Sequence, residues 1–116
     1  MKPIDKDLVQ QQLNQRSNRP QYIHVETTNG AYASHKNESF FSAGAFLRNV
    51  ELQYTIGKIT GSGPYRVGLK LDGGWVYAEG LTDWTVDEED RLLLAGHDHD
   101  GKLAVALQLS ATPFRN

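Results

Sequence analysis

Two histidines and a carboxylate, His24, His35 and Glu26, are the residues whose types and spacing could hold a metal. Asn29-Gly30 lies between them and is the strongest short-range hairpin signal in the chain. A two-residue turn there sets His24 opposite His35, with Cα atoms about 5.5 Å apart in a hydrogen-bonded pair. Glu26 shares the strand face. Two imidazoles and a carboxylate can form a facial site for a divalent ion, with Zn–N distances of about 2.0–2.1 Å. His97 and His99, also on one strand face, extend the set if the two hairpins meet. Histidines near hairpin ends are also ordinary polar surface residues, and no recognised metal-ligand spacing is present.

A second cluster is His97-Asp98-His99-Asp100-Gly101. Asp-Gly accounts for a turn, and Asp98 and Asp100 favour turns through local hydrogen bonds. Calcium or acid/base chemistry would need a cleft as well. The acidic run Asp87-Glu88-Glu89-Asp90 lacks EF-hand ligand spacing and reads as a solvated turn.

The third cluster is built by a glycine turn. Gly73-Gly74 folds Tyr65–Leu71 back onto Trp75–Glu79. With those two residues as the turn, Leu71 meets Val76 and Leu69 meets Ala78, so apolar side chains stay on one face. The other face gathers Arg66, Lys70, Trp75 and Tyr77, with Lys70 opposite Tyr77 and Gly68 leaving a hollow beside the rings. Aromatics and cations around a glycine can grip a planar or anionic ligand. The same residue types are favoured at protein interfaces. Local nucleophile, phosphate-loop and zinc-protease signatures are absent. Gly61-Ser62-Gly63 continues into Pro64-Tyr65-Arg66 rather than a phosphate-binding ending.

The elements that must position these groups are mostly strands. The pattern predicts one helix over about 5–17, with Asp5 as N-cap and a narrow stripe of Ile4, Leu8, Val9 and Leu13. An antiparallel meander follows over 21–112. Gln21–Thr28 is its first strand, paired through Asn29-Gly30. Phe40 to Leu47, interrupted by Gly44, predicts a bent or bulged strand. Val50, Leu52, Tyr54 and Ile56 alternate with polar residues, so Val50–Thr60 reads as a single strand. Ile59 is out of phase, which predicts a bulge at Gly57-Lys58. Strands over Leu81–Val86, Arg91–Asp98 and Lys102–Ser110 complete the pattern. The small apolar face of Leu93, Ala95, Ala104 and Ala106 calls for a cover, either the helix or a partner chain. Seven to eight short strands predict a β-barrel or sandwich with one N-terminal helix packed on it, in a single domain over 1–116.

Composition bounds the function. The chain has 116 residues, 39% of them hydrophobic, with a net charge of −2 and a pI near 6.0. That balance argues against a nucleic-acid binder. Residues 1–70 carry nine Lys/Arg and five Asp/Glu, whereas residues 71–116 carry three and nine. This polarity suits head-to-tail self-association or a charged partner. No run approaches the ~20 apolar residues of a membrane span. The N-terminus lacks a secretory pattern and there is no cysteine, so the expected location is cytoplasmic.

Taken whole, the chain resembles the YojF-like family, small proteins of bacilli classed as a domain of unknown function. The distinctive pieces are Gly61-Ser62-Gly63-Pro64-Tyr65-Arg66-Val67-Gly68-Leu69, Asp72-Gly73-Gly74-Trp75-Val76-Tyr77-Ala78 and the start Met1-Lys2-Pro3-Ile4. The resemblance implies a small β-barrel-like fold, no established activity and no catalytic residues to carry over. Its members tend to be encoded beside a zinc-dependent, bacillithiol-type deacetylase, which implies an accessory role in low-molecular-weight thiol metabolism. The resulting expectation is a non-catalytic binding or interaction module, a homo-oligomer without a cofactor. The alternative is a small metal-binding protein or metal-dependent hydrolase using His24, His35 and Glu26.

Overall fold

The computed structural model describes residues 1–28 and 43–115. Among these, nine strands form two antiparallel sheets beside one helix. In chain order the elements are β1 (Lys2–Pro3), α1 (Lys6–Arg16), β2 (Gln21–Thr28), β3 (Ala43–Leu52), β4 (Ile56–Gly61), β5 (Tyr65–Lys70), β6 (Trp75–Leu81), β7 (Asp83–Val86), β8 (Leu92–His97) and β9 (Leu103–Ser110). The larger sheet runs β1-β7-β8-β9-β2-β3 and the smaller β4-β5-β6. The sheets pack face to face as a sandwich and do not close into a barrel. The expected mainly β architecture is thus correct in its sandwich form.

The core lies between the sheets. Ile23 and Val25 from β2, Leu92 and Leu94 from β8, and Val105, Leu107 and Leu109 from β9 meet Ile59, Val67, Leu69 and Ala78 of the small sheet. Where the sheets come closest, Gly96 of β8 lies under the backbone of Gly80. A Cβ on Gly96 would stand 2.0 Å from the Gly80 carbonyl oxygen, so only glycine fits.

Helix α1 forms where expected. The Asp5 carboxylate accepts from the Leu8 N–H at 3.1 Å, satisfying one orphan donor of the first turn. Val9 and Leu13 are buried, whereas Leu8 is exposed. The helix lies along the edge of β4 rather than on the small-residue face of β8 and β9, where Ala95 and Ala106 are nonetheless buried. At the β4 edge the Gln10 carboxamide accepts from the Ile59 N–H at 3.0 Å and donates to the Gly57 carbonyl at 2.8 Å. It completes the ladder as a peptide group would.

Three expectations about strands need correction. Val50–Thr60 is not one strand, because the chain leaves the large sheet after Leu52 and enters the small one at Ile56. The crossing is pinned by Tyr54, which is buried and donates its hydroxyl to the Leu13 carbonyl at 2.6 Å. Burial pushes that phenol well above its ordinary pKa. No bulge occurs at Gly57-Lys58, since β4 and β5 pair without a shift. Gly57 and Ile59 face in, and Ile56 faces out. The phase break came from the change of sheet. Finally, the turn after β5 spans Leu71 to Gly74, closed by a 2.7 Å bond from the Leu71 N–H to the Gly74 carbonyl. Leu69 therefore pairs with Val76, Lys70 with Trp75 and Gly68 with Tyr77. The offset is two residues, so each side chain keeps its expected face.

Strand β3 is bulged, as its glycine-interrupted sequence suggested. Thr27 pairs with Ala45 and Thr28 with Ala43, which leaves Gly44 as the extra residue; a second shift, where Ile23 pairs with Val50 and His24 with Arg48, leaves Asn49 extra at φ 58°. Asparagine is among the few non-glycine residues that tolerate this region.

Candidate functional site

The outward face of the small sheet is the most open constellation. Cross-strand pairing lays it out in rows: Ile56, Lys70 and Trp75, then Lys58, Gly68 and Tyr77, then Thr60 beside Arg66. Glu79 lies next along β6. Every side chain in these rows is exposed. Trp75 and Tyr77 stack with centroids 5.4 Å apart and planes 9° from parallel, yet they remain 47% and 52% accessible. The Arg66 guanidinium lies 5.4 Å from the Tyr77 ring centre and pairs with Glu79. All four residues expected on this face, Arg66, Lys70, Trp75 and Tyr77, are together on it. The Gly68 hollow is not empty, however. A Cβ there would stand 2.8 Å from Tyr77 Cε1 and 3.5 Å from Trp75 Cε3, so the rings occupy the space the missing side chain leaves. Glycine here lets the aromatics lie against the sheet. Beside the face, a groove of about 620 Å³ runs between β6 and the large sheet, with Val25, Ala78 and Val105 in its lining.

The histidine and carboxylate group is arranged differently from its expectation. Both ladder positions flanking His24 are taken, by Arg48 of β3 and Gln108 of β9, so His24 does not pair with His35 across an Asn-Gly turn. His35 and the Asn29-Gly30 turn themselves lie outside the described residues. His24 and Glu26 do meet, with Nε2 3.3 Å from the carboxylate. Arg48 donates to Nδ1 at 3.2 Å. A guanidinium is only a donor, so Nδ1 accepts and the ring proton sits on Nε2, facing Glu26. Both ring nitrogens are engaged, Nδ1 by the Arg48 cation and Nε2 by Glu26. Among the described residues no group of three or more metal-ligating side chains converges.

This cluster has an anchor that lay unseen in the sequence. Phe114, in the segment after β9, is 4% exposed and lies edge-on to His24 with centroids 6.3 Å apart. The guanidinium carbons of Arg48 and Arg91 stand 4.9 and 5.7 Å from its ring centre. Asn49 reads the Phe114 backbone in both directions, accepting from its N–H at 2.6 Å and donating to its carbonyl at 2.8 Å. A lone phenylalanine after Pro113 was the one available signal.

The carboxylates near the second cluster are spent locally. Asp98 accepts from the Asp100 and Lys102 N–H groups, each at 2.9 Å, and builds the turn. The Lys102 bond, chiefly, holds its carboxyl below the usual range. His97 does not join His24. Its Nδ1 lies 2.8 Å from Asp83, which also accepts from the Thr82 hydroxyl at 2.8 Å. Those two bonds, Thr82 first, keep Asp83 below its ordinary pKa. An oriented histidine of this kind can do acid/base work beside a nucleophile, but His97 Nε2 makes no hydrogen bond to a described residue. Asp87 is likewise low: burial raises it, and hydrogen bonds from Arg91 and the Glu89 N–H outweigh that.

No helix among the described residues is long and apolar enough to cross a membrane. A family model described as "Protein of unknown function (DUF1806)" matches residues 3–114. The "Uncharacterized protein YojF" of Bacillus subtilis (strain 168) is 55% identical over 114 residues, covering 98% of each chain. The crystal structure of Bacillus subtilis YojF protein superposes with a TM-score of 0.85 at 50% identity, covering 99% of this chain and 97% of that one. The chain therefore belongs to the DUF1806 family of proteins of unknown function, alongside YojF.

Proposed function

We propose that this protein is a non-catalytic interaction module of the cytoplasm whose working surface is the outward face of β4-β5-β6. The observation that carries the reading is Trp75 and Tyr77, stacked together and still half exposed. Large rigid aromatics left open to water beside arginine are the composition of an interface centre. The His24 cluster, by contrast, is closed on itself. The family resemblance supplies the partner to try first, a zinc-dependent deacetylase of the bacillithiol type, which the module would serve as an accessory. Co-purification of that enzyme with the full chain tests this. Trp75→Ala and Tyr77→Ala should each cut recovery at least tenfold while leaving the thermal midpoint in place. Equal recovery by both variants would rule out this face.

Self-association belongs to the same reading. Among the described residues strand β3 is an edge of the large sheet, and it exposes Phe46, Leu47 and Val50, the kind of edge that pairs with another chain. Light scattering across a concentration series checks it, and a monomer at every concentration sinks it. The approach of Glu26 to His24 supports the alternative of a metal-binding protein or metal-dependent hydrolase through His24, His35 and Glu26. Metal analysis of untagged protein separates the two, because stoichiometric zinc or nickel would favour the alternative.

A further inference from the structure

The geometry points to an acidic, extended protein segment as the occupant of the β4-β5-β6 face, an inference that rests on the reading just given. Its charge is unbalanced at a defined place. The ammonium groups of Lys58 and Lys70 make no hydrogen bond or ion pair to a described residue. Glu79, the carboxylate of β6 on this face, is already taken by Arg66. Two free cations therefore stand beside the stacked aromatics with no anion from the described chain to answer them.

Spacing sharpens the match. Lys58 pairs with Gly68, two residues along β5 from Lys70, so the lysines are diagonal neighbours about 7–8 Å apart at the backbone. Alternate residues of an extended chain are spaced about 6.8 Å apart and point to one side. Carboxylates at i and i+2 of an extended segment can thus meet both lysines at once. Lys70 also pairs with Trp75, so an apolar side chain at i+4 would fall against the exposed rings. A polynucleotide fits less well, because two phosphate contacts give a weak and shallow electrostatic grip and the chain carries a net −2.

The test uses the full chain and a defined probe, the peptide acetyl-Gly-Glu-Ser-Glu-Ser-Phe-Gly-amide, followed by amide NMR. Shifts should cluster on β4, β5 and β6, and affinity should fall several-fold between 0.05 and 0.3 M salt. Replacing both glutamates by glutamine should weaken binding about tenfold, and the charge reversal Lys58→Glu with Lys70→Glu should weaken it more. Both lysines are exposed, so the reversed protein should keep its thermal midpoint. Lys58→Gln with Lys70→Gln, expected to give an intermediate loss, provides a second variant. The inference is overturned by equal binding of the glutamine peptide, by unchanged binding of the reversed protein, or by an absence of shifts at millimolar peptide. A thymidine octanucleotide perturbing the same face more strongly than the peptide would also overturn it. If partner capture fails in Trp75→Ala but survives lysine reversal, the face stands and its preference for acid falls.

Discussion

The His24 cluster and the Trp75 face sit on different sheets, and both bring aromatic, cationic and acidic side chains together. They differ in what remains unspent. Around His24 each polar atom has a taker: Arg48 serves Nδ1, Glu26 serves Nε2, and Asn49 serves the Phe114 backbone. Around Trp75 the rings are half open and two lysines point at water. A constellation that has consumed its own valencies is holding the chain together, because partnered buried polar groups are what a stable interior requires. Valencies left open leave something to recognise a partner. Residue type alone does not separate the two, since each set contains side chains that a binding site could use.

Two glycines give the sharpest way to break this comparison. Gly96→Ala puts a methyl group onto the Gly80 carbonyl, and backbone cannot yield as a side chain can. The expected result is the largest effect here, a loss of more than about 3 kcal/mol or no soluble fold, read by urea denaturation. Phe114→Ala comes next, at about 3 kcal/mol, because it empties the space between His24 and the two arginines. A cost near zero would mean that the His24 cluster is not structural and would reopen it as a site. Gly68→Ala meets only the edge of the Tyr77 ring, which can swing outward. Less than about 1 kcal/mol should be lost, while partner capture falls as the stack is displaced.

Acid should act through three aspartates of the large sheet and its turns. Asp83, Asp87 and Asp98 all have folded pKa values below the ordinary carboxylate value. A depressed folded pKa gives stability that is fully present above the unfolded value, near 4, and is lost as pH falls through the folded one. The urea midpoint should hold between pH 7 and 5 and drop below about 4. Substituting all three with asparagine should flatten that drop, and an unchanged profile would show that other carboxylates govern it. The smallest stability effect is reserved for the open face. Trp75→Ala and Tyr77→Ala should each shift stability by no more than about 0.5 kcal/mol, since neither side chain is buried.

Local signals were legible and long-range ones were not. Asp5, Val9 and Leu13 announced the helix, and the Gly73-Gly74 turn delivered the right faces even with a two-residue offset, because side-chain parity survives an even shift. Tyr54 misled. It continues the alternation of Val50 and Leu52, yet it is buried by the helix end at the change of sheet, a contact no local pattern encodes. The insertion of β2 between β3 and β9 was equally hidden, as Asn29-Gly30 offered a nearer partner. Asp83 with His97, and Phe114 with His24, join positions far apart in the chain. The Trp75 face was legible because one short turn makes it.

The Gln10 carboxamide has a wider consequence. A sheet edge with free donors and acceptors is a template for further strands, and β4 would be such a template without the helix beside it. One amide side chain, reaching the Ile59 N–H and the Gly57 carbonyl, turns α1 into a stopper against runaway assembly. Trimming or displacing the first sixteen residues would therefore do more than remove a small apolar stripe. It would uncork a polymerisation-competent edge, so the length and placement of an N-terminal fusion tag should decide whether this protein stays dispersed or precipitates.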